Sequence, residues 1–176
     1  MKRLLALATC VMVMVIARPA FAATFSDPDD MAGPMDVRRL VHTQRGGDIH
    51  RFRVTTDGTW GCRYLKPKTN TMRWFFDGGG DGDVDLVGNV KCVKRGGGRD
   101  IQLFLRGKDS GNQYEPLGFT RPNRRTLNLT FSFDIPELNG NHVDLRIHTT
   151  DRTVDDCTSP NKCVDRAPDD GMWRLY

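Results

Sequence analysis

Apolar and polar side chains alternate in the segment HRFRVTT, residues 50–56, and this alternation decides the fold class. Along an extended chain, Phe52 and Val54 fall on one face, while Arg51 and Arg53 fall on the other. A period of two residues is typical of a β-strand that has one buried face. The segment therefore predicts a half-buried strand.

The same alternation recurs on the carboxyl side of this segment, with turn-forming clusters between the strands. It occurs at residues 84–92, 101–105, 127–133 and 143–147. No stretch after residue 23 shows the period of an amphipathic helix, and 18 glycines with nine prolines disfavour long helices. We predict a single all-β domain, an antiparallel β-sandwich of the jelly-roll or immunoglobulin-like kind with about seven to nine strands.

Three shorter segments complete the predicted architecture. The Asn139-Gly140-Asn141 step lies between two apolar runs and predicts a tight hairpin. Residues 24–34 are acidic and rich in turn-forming residues, so we expect an irregular segment there and the first strand after Asp36. Residues 151–176 are predicted to be irregular, with their apolar residues forming a final strand or strap along the sandwich.

The amino terminus has the pattern of a secretory signal peptide. A basic start is followed by an apolar run from Leu4 to Ala17 and by the small residues Ala20 and Ala22. The run is too short to span a bilayer stably. We predict that residues 1–22 are cleaved after Ala22 and that residues 23–176 form one secreted, unanchored domain.

Removing the predicted signal peptide changes the charge balance. The whole chain has 26 Lys and Arg against 22 Asp and Glu, whereas residues 23–176 have 23 against 22. This near-neutral balance argues against nucleic acid as a partner. Two basic clusters remain, and we interpret them as solvated turns; the alternative is that they bind anionic polymers. These clusters are Lys94, Arg95 and Arg99, and Arg121, Arg124 and Arg125. We expect a monomer.

Four cysteines follow the predicted cleavage point: Cys62, Cys92, Cys157 and Cys163. An even number in an exported chain predicts two disulfide bonds. Of the three possible pairings, we predict Cys62–Cys92 and Cys157–Cys163. A zinc site is the alternative, but the chain has no C-x-x-C pair and no matching histidine spacing.

The acidic loop DGGGDGDVD, residues 77–85, is a candidate calcium site. Calcium prefers several oxygen ligands, and carboxylates on alternate residues of a glycine-rich loop can converge on one ion. The candidate ligands are Asp77, Asp81, Asp83 and Asp85. The alternative is an acidic turn in which glycine supplies positive φ angles and aspartate accepts hydrogen bonds from nearby backbone amides.

A second acidic group lies near the predicted amino terminus of the mature protein. It comprises Asp27, Asp29 and Asp30, with Asp36 a few residues later. Carboxylates that lie close together repel one another unless they are solvated or bridged by a cation. A calcium ion here would pin the amino-terminal segment to the sandwich. The alternative is an ordinary polar segment that needs no ion.

Several of these motifs occur together in a group of known sequences. The chain resembles small exported bacterial proteins of unassigned function, which share its Asp-Pro-Asp-Asp…Gly-Pro-x-Asp-Val opening and its Cys-Val-Asp-Arg-Ala-Pro-Asp ending. The resemblance implies a secreted β-sandwich whose acidic loops look like cation sites in some members, and it implies no activity. The matching residues are 27–30, 33–38, 59–60, 76–77, Asp85 and 163–171.

Sequence signatures of enzymes are scarce in this chain. No serine lies in a G-x-S-x-G elbow, and no H-E-x-x-H motif occurs. We predict a non-catalytic, disulfide-stabilised module, stabilised by calcium, that binds an extracellular or cell-envelope ligand. The alternative is a small extracellular hydrolase that uses a pair of aspartates. Trp60, Trp74 and Trp173 lie in or beside apolar segments, so we expect them in the core rather than in a sugar site.

Overall fold

Two antiparallel sheets pack together in the computed structural model, which describes residues 21–140, 142–153 and 163–175. This architecture confirms the predicted all-β sandwich. In chain order the strands are β1 (Ala22–Ser26), β2 (Val37–Gln44), β3 (Ile49–Thr56), β4 (Asn70–Asp77), β5 (Leu86–Arg95), β6 (Gly98–Gly107), β7 (Gln113–Tyr114), β8 (Gly118–Asn123), β9 (Thr126–Ser132), β10 (Asp144–Asp151), β11 (Val164–Ala167) and β12 (Trp173–Arg174), with a 3₁₀ turn at Pro136–Leu138.

The two sheets divide the strands unequally. The first has the order β1-β2-β3-β9-β8, and the second has the order β11-β10-β4-β5-β6-β7, with β12 also paired to β10. The carboxyl-terminal strands β11 and β12 thus belong to the second sheet. They agree with the prediction that apolar residues near the carboxyl terminus form a final strand or strap along the sandwich. Strand β1 lies at an edge of the first sheet and β11 at an edge of the second, and Phe25 of β1 contacts Trp173 of β12 across the sandwich.

The core lies between the sheets and follows the alternation read from the sequence. In β3, Phe52 and Val54 are buried while Arg51 and Arg53 are exposed. The ring of Phe52 meets Trp74 of the opposite sheet edge to face, at 6.0 Å between centroids. Aromatic side chains of this size dominate core energetics. All three tryptophans are buried, Trp60, Trp74 and Trp173, which confirms that they fill the core.

The amino-terminal prediction was wrong in one respect. Residues 22–26 form strand β1, so the first strand precedes the acidic segment instead of following Asp36. The edge of β2 offers unpaired backbone groups, and β1 pairs with it over five residues. Phe25 adds a ring stack on Trp173, with 5.4 Å between centroids.

The predicted hairpin at residues 139–141 was also wrong. Strand β9 belongs to one sheet and β10 to the other, so this connection crosses between the sheets. Both edges of β9 are already occupied, by β3 and β8, and no edge is left for a hairpin partner. The crossover packs so closely against the backbone of Gly78 that a side chain at position 140 would collide with it, and glycine is therefore required there. Asn141 lies outside the described residues.

One predicted disulfide is confirmed. Cys62 and Cys92 are bonded, with their Cα atoms 5.0 Å apart, and the bridge joins the loop after β3 to strand β5. Cys163 is buried and disulfide-bonded. Its predicted partner, Cys157, lies outside the described residues. Within the described ranges, no helix has the length and apolar character needed to cross a membrane.

Candidate metal centre

Four aspartates from three parts of the chain converge at the junction of the amino-terminal segment and β11. Asp27 directly follows β1, Asp30 lies in the bend after it, Asp36 directly precedes β2, and Asp165 lies in β11. One carboxylate oxygen from each lies within 4.8 Å of the others. We call these four residues the acidic cluster. Sheet pairing on either side fixes the backbone that carries them.

Asp36 is, with Asp165, one of the two fully buried members of the acidic cluster. Its side chain has no exposed surface, and neither carboxylate oxygen has a hydrogen-bond partner within the described residues. The nearest cation is the guanidinium of Arg38, 3.7 Å from one oxygen. Its backbone is held in place, because Asp57 donates a hydrogen bond to the carbonyl of Asp36 at 2.8 Å. A buried carboxylate without partners is costly, since burial strips it of water.

Asp165 and Asp27 are also buried and only partly satisfied. The backbone N–H of Val37 donates to one oxygen of Asp165 at 2.7 Å, and the other oxygen has no hydrogen-bond partner among the described residues. One oxygen of Asp27 likewise has no hydrogen-bond partner among the described residues. Asp30 is exposed, so solvent reaches the acidic cluster at this residue. The bond from Val37 ties β11 directly to the start of β2.

Negative charge exceeds positive charge around these groups. Arg38 lies 3.2 Å from Asp29 and 3.7 Å from Asp36, and it forms the ion pairs that the structure describes at this site. Asp29 is two-thirds exposed and lies at the edge, paired with Arg38 rather than within the four-carboxylate group. One arginine cannot neutralise four carboxylates and Asp29 together.

Burial and mutual repulsion raise the pKa of every member of the acidic cluster. Burial raises the pKa of Asp36 to about 8, and the charge of Asp165 adds to this shift. Burial likewise raises the pKa of Asp165 to about 8 and that of Asp27 to about 7. The pKa of Asp30 rises to about 6, because the neighbouring protein groups partly desolvate this otherwise exposed carboxylate and because Asp169 lies nearby. Holding four such groups ionised requires a compensating positive charge.

The arrangement matches the needs of a hard divalent cation. Calcium takes six to eight oxygen ligands at about 2.3–2.6 Å, so opposed ligands lie about 5 Å apart. Oxygens that lie within 4.8 Å of one another fit around one such ion. Calcium also tolerates irregular geometry and completes its shell with water, which the exposed Asp30 allows.

The predicted calcium loop at residues 77–85 has a different geometry. Asp77 is buried, and its two oxygens accept hydrogen bonds from the backbone amides of Gly79, Gly80 and Gly82 at 3.0, 2.6 and 2.7 Å. Asp85 accepts one from Gly78 at 2.8 Å. These contacts are those of the acidic turn that was the alternative interpretation of the sequence.

The other two candidate ligands of this loop face solvent. Asp81 and Asp83 are exposed, and Asp81 accepts a hydrogen bond from the backbone amide of Asp83 at 2.9 Å. Within the described residues, the carboxylates of Asp77, Asp81, Asp83 and Asp85 do not form a group comparable to the acidic cluster. The structure thus brings together Asp27, Asp30 and Asp36 of the predicted ligands, while the calcium site at residues 77–85 stays a prediction.

Asp165 is the member of the acidic cluster that sequence reasoning did not assign. An indication of its role lies in the alternation of β11, where Asp165 and Ala167 are buried on the same face of the strand. A carboxylate on the inward face of a strand is rare unless it is paired or binds a metal.

Comparisons with known proteins do not identify the chain. No family model matches its sequence, and a search of curated proteins finds no significant match. The resemblance to small exported bacterial proteins of unassigned function stays a prediction.

Proposed function

We propose that this protein is an exported, non-catalytic binding module, a disulfide-stabilised β-sandwich that a calcium ion in the acidic cluster holds closed at its chain ends. The observation that carries the proposal is the state of Asp36, a fully buried carboxylate with two oxygens that no hydrogen bond satisfies within the described residues. Three further carboxylates surround it. A bound divalent cation satisfies all four groups at once.

The position of the acidic cluster supports a stabilising role for the ion. Asp27 and Asp36 flank the segment that links β1 to β2, and Asp165 belongs to the opposite sheet. An ion that bridges them ties the amino-terminal strand and the carboxyl-terminal strands to each other. The disulfide between Cys62 and Cys92 constrains another part of the molecule, the loop after β3. The proposed ion and this disulfide therefore constrain two different parts of the molecule.

Thermal unfolding with calcium and with a chelator tests this proposal. A ligand that binds only the native state stabilises it, by about 2 kcal/mol at several tens of times the dissociation constant. For a domain of this size, that gain raises the melting temperature by about 5 °C. We expect this rise in the purified exported protein at about 10 mM calcium, a concentration chosen for the millimolar affinities of extracellular modules.

Two matched variants locate the effect. Asp36→Asn removes one charge from the acidic cluster, and we expect it to abolish the calcium-dependent rise. Asp81→Asn removes one charge from the loop at 77–85 and is expected to keep the rise. A wild-type protein whose melting temperature does not respond to calcium would refute the proposed metal centre, as would an equal rise in Asp36→Asn.

A further inference from the structure

A groove lined in part by Cys62 of the Cys62–Cys92 bridge contains basic residues from three separate segments. Its walls are the loop at residues 59–64, the turn between β5 and β6, and the turn between β8 and β9. The cations that line it are Arg63, Lys94, Arg95, Arg99, Arg121 and Arg124. Five of these residues belong to the two basic clusters that we interpret from the sequence as solvated turns, and Arg63 belongs to neither. We call this surface the basic groove.

The charge of the basic groove is strongly one-sided. Asp100 is the carboxylate among the residues that line it, and one of its oxygens already accepts a hydrogen bond from the amide of Ile101 at 2.8 Å. Arg95, Arg99 and Arg124 are exposed, and none of them forms an ion pair in the part of the chain that the structure describes. The excess charge is thus available to a ligand.

Two features of the basic groove are unfavourable for the protein alone. Lys94 and Arg99 lie directly opposite each other in the pairing of β5 with β6, and like charges at such positions destabilise a sheet. Arg121 is half-buried beside Arg124, and burial together with that neighbouring charge lowers the pKa of Arg121. A bound anionic ligand would offset both the repulsion between Lys94 and Arg99 and the burial of charge at Arg121.

The floor of the basic groove is rigid. The guanidinium of Arg121 lies over the ring of Trp60, 4.2 Å from its centroid, and donates hydrogen bonds to the carbonyls of Trp60 and Arg124. The disulfide fixes Cys62 to β5, and the Cys62 sulfur also lies 3.4 Å from the carbonyl of Asp100. Arg121 therefore positions the turn, while the exposed arginines stay free to reach a ligand. Such preorganisation lowers the entropic cost of binding.

The basic groove exposes little aromatic ring surface, because Trp60 is buried and Tyr64 is half-buried. Trp60 is 3% exposed and lies beneath Arg121, and the hydroxyl of Tyr64 is buried. Single-stranded nucleic acids combine phosphate contacts with bases stacked on exposed aromatic rings, and the groove offers little of the second contribution. Guanidinium groups pair in bidentate fashion with carboxylate and phosphate groups, and the tetrahedral oxygens of a sulfate group resemble those of phosphate.

We propose that the basic groove binds an acidic polysaccharide, whose sulfate or carboxylate groups pair with Arg95, Arg99 and Arg124. This inference rests on the proposed function, that of an exported binding module, and it names the chemical class of the ligand. The groove and the acidic cluster share no residue, so each can be tested while the other is left intact.

Fluorescence anisotropy with labelled heparin and labelled hyaluronate tests the proposal, with labelled oligothymidylate as the nucleic-acid probe and neutral dextran as a competitor. We expect at least one acidic polysaccharide to bind, unaffected by dextran, with an affinity that falls as salt is raised because bound counterions are released. The triple variant R95A/R99A/R124A should lose about tenfold or more in affinity.

The control variant R39A/R51A/R53A removes the same charge from exposed positions on β2 and β3, and it should keep the wild-type affinity. Melting curves check that both triple variants fold. Absence of binding to both polysaccharides would overturn the proposal, as would an equal loss in the control variant. Tighter binding of oligothymidylate than of either polysaccharide would overturn it in favour of nucleic acid.

Repeating the titration with Asp36→Asn in chelator separates this inference from the proposed metal centre. Polysaccharide binding that persists there, in a protein that shows no calcium response, leaves the groove standing without the ion. A calcium response without polysaccharide binding refutes the groove alone.

Discussion

Asp77 and Asp36 are both buried aspartates in acidic, turn-rich segments, yet their carboxylates have opposite surroundings. Three backbone amides of its own loop satisfy Asp77. Asp36 has no hydrogen-bond donor within the described residues and faces three other carboxylates. The difference teaches that the number of acidic residues in a loop does not indicate a metal site. What matters is whether the protein itself satisfies their oxygens.

Removing the Asp77 carboxylate tests the satisfied half of this comparison and has the largest expected effect. Asp77→Ala leaves the amides of Gly79, Gly80 and Gly82 without their acceptor, and hydrogen bonds to charged groups contribute about 1.5–3 kcal/mol each. Because these bonds share one acceptor, we expect a total loss of about 3 kcal/mol or more in the free energy of unfolding. Urea denaturation measures it, and the loss should be equal with calcium and with chelator. A loss that appears only in calcium would place the metal in this loop.

A buried histidine pair gives the comparison a third site, where burial shifts the pKa in the opposite direction. His42 and His50 stack in the core, 5.1 Å between centroids, and burial lowers the pKa of each to about 4. The unfolded chain binds protons near pH 6.5, whereas the folded protein does so only near pH 4. Stability is therefore fully present above pH 6.5 and is lost as the pH falls through 4, by about 1–3 kcal/mol per histidine.

The variant His42→Phe tests this contribution through the pH dependence of stability, since it also removes the 2.9 Å hydrogen bond between the rings of His42 and His50 and so lowers stability at every pH. It keeps an aromatic ring against Phe52 and His50 but removes one titrating group. Urea midpoints at pH 7, 5.5 and 4 should fall less steeply with acidification in the variant than in the wild type. Parallel pH profiles for the two proteins would contradict the assignment.

Asp36→Asn in chelator tests the unsatisfied half of the comparison, with a smaller effect of unusual sign. Without a bound cation, replacing a buried, repelled carboxylate with a neutral amide relieves charge repulsion, and the amide can donate to a neighbouring carboxylate. We expect the variant to be more stable than the wild type by about 1 kcal/mol at pH 8 in chelator. Urea denaturation checks this, and a less stable variant would show that the site tolerates its charge unaided.

Asp81→Asn has the smallest expected effect. Asp81 is exposed and accepts one local hydrogen bond, from the amide of Asp83 at 2.9 Å. Exposed substitutions of this kind stay within about 0.5 kcal/mol. The same denaturation measurement applies, and a loss above 1 kcal/mol, on the order of a buried interaction, would show that Asp81 contributes more than a turn contact.

Local patterns in the sequence predicted what local physics determines. The alternation around Phe52 and Val54 gave the correct strand and buried face, and the cysteine count led to the Cys62–Cys92 bridge. The closeness of Asp27, Asp30 and Asp36 in the sequence predicts that their carboxylates lie near one another. Their convergence follows from the turns between β1 and β2.

Features that depend on contacts between residues far apart in the sequence could not be predicted from local patterns. Asp165 accepts a hydrogen bond from the amide of Val37, which is 128 residues away in the sequence. The strand pairing that places β11 beside the acidic cluster is not encoded in any local pattern. The spacing of aspartates at 77–85 was equally compatible with an ion and with a turn, because spacing does not show which donors a carboxylate meets. The two basic clusters were separate in sequence, and only the packing of turns from different strands joined them in one groove.

Direct measurement of calcium stoichiometry by isothermal titration calorimetry decides between the two acidic regions. We predict one ion per chain in the wild type and in Asp81→Asn, and none in Asp36→Asn or Asp165→Asn. The absence of binding in the wild type, or one bound ion retained in both cluster variants, would contradict the proposal that buried, unsatisfied carboxylates form a metal centre.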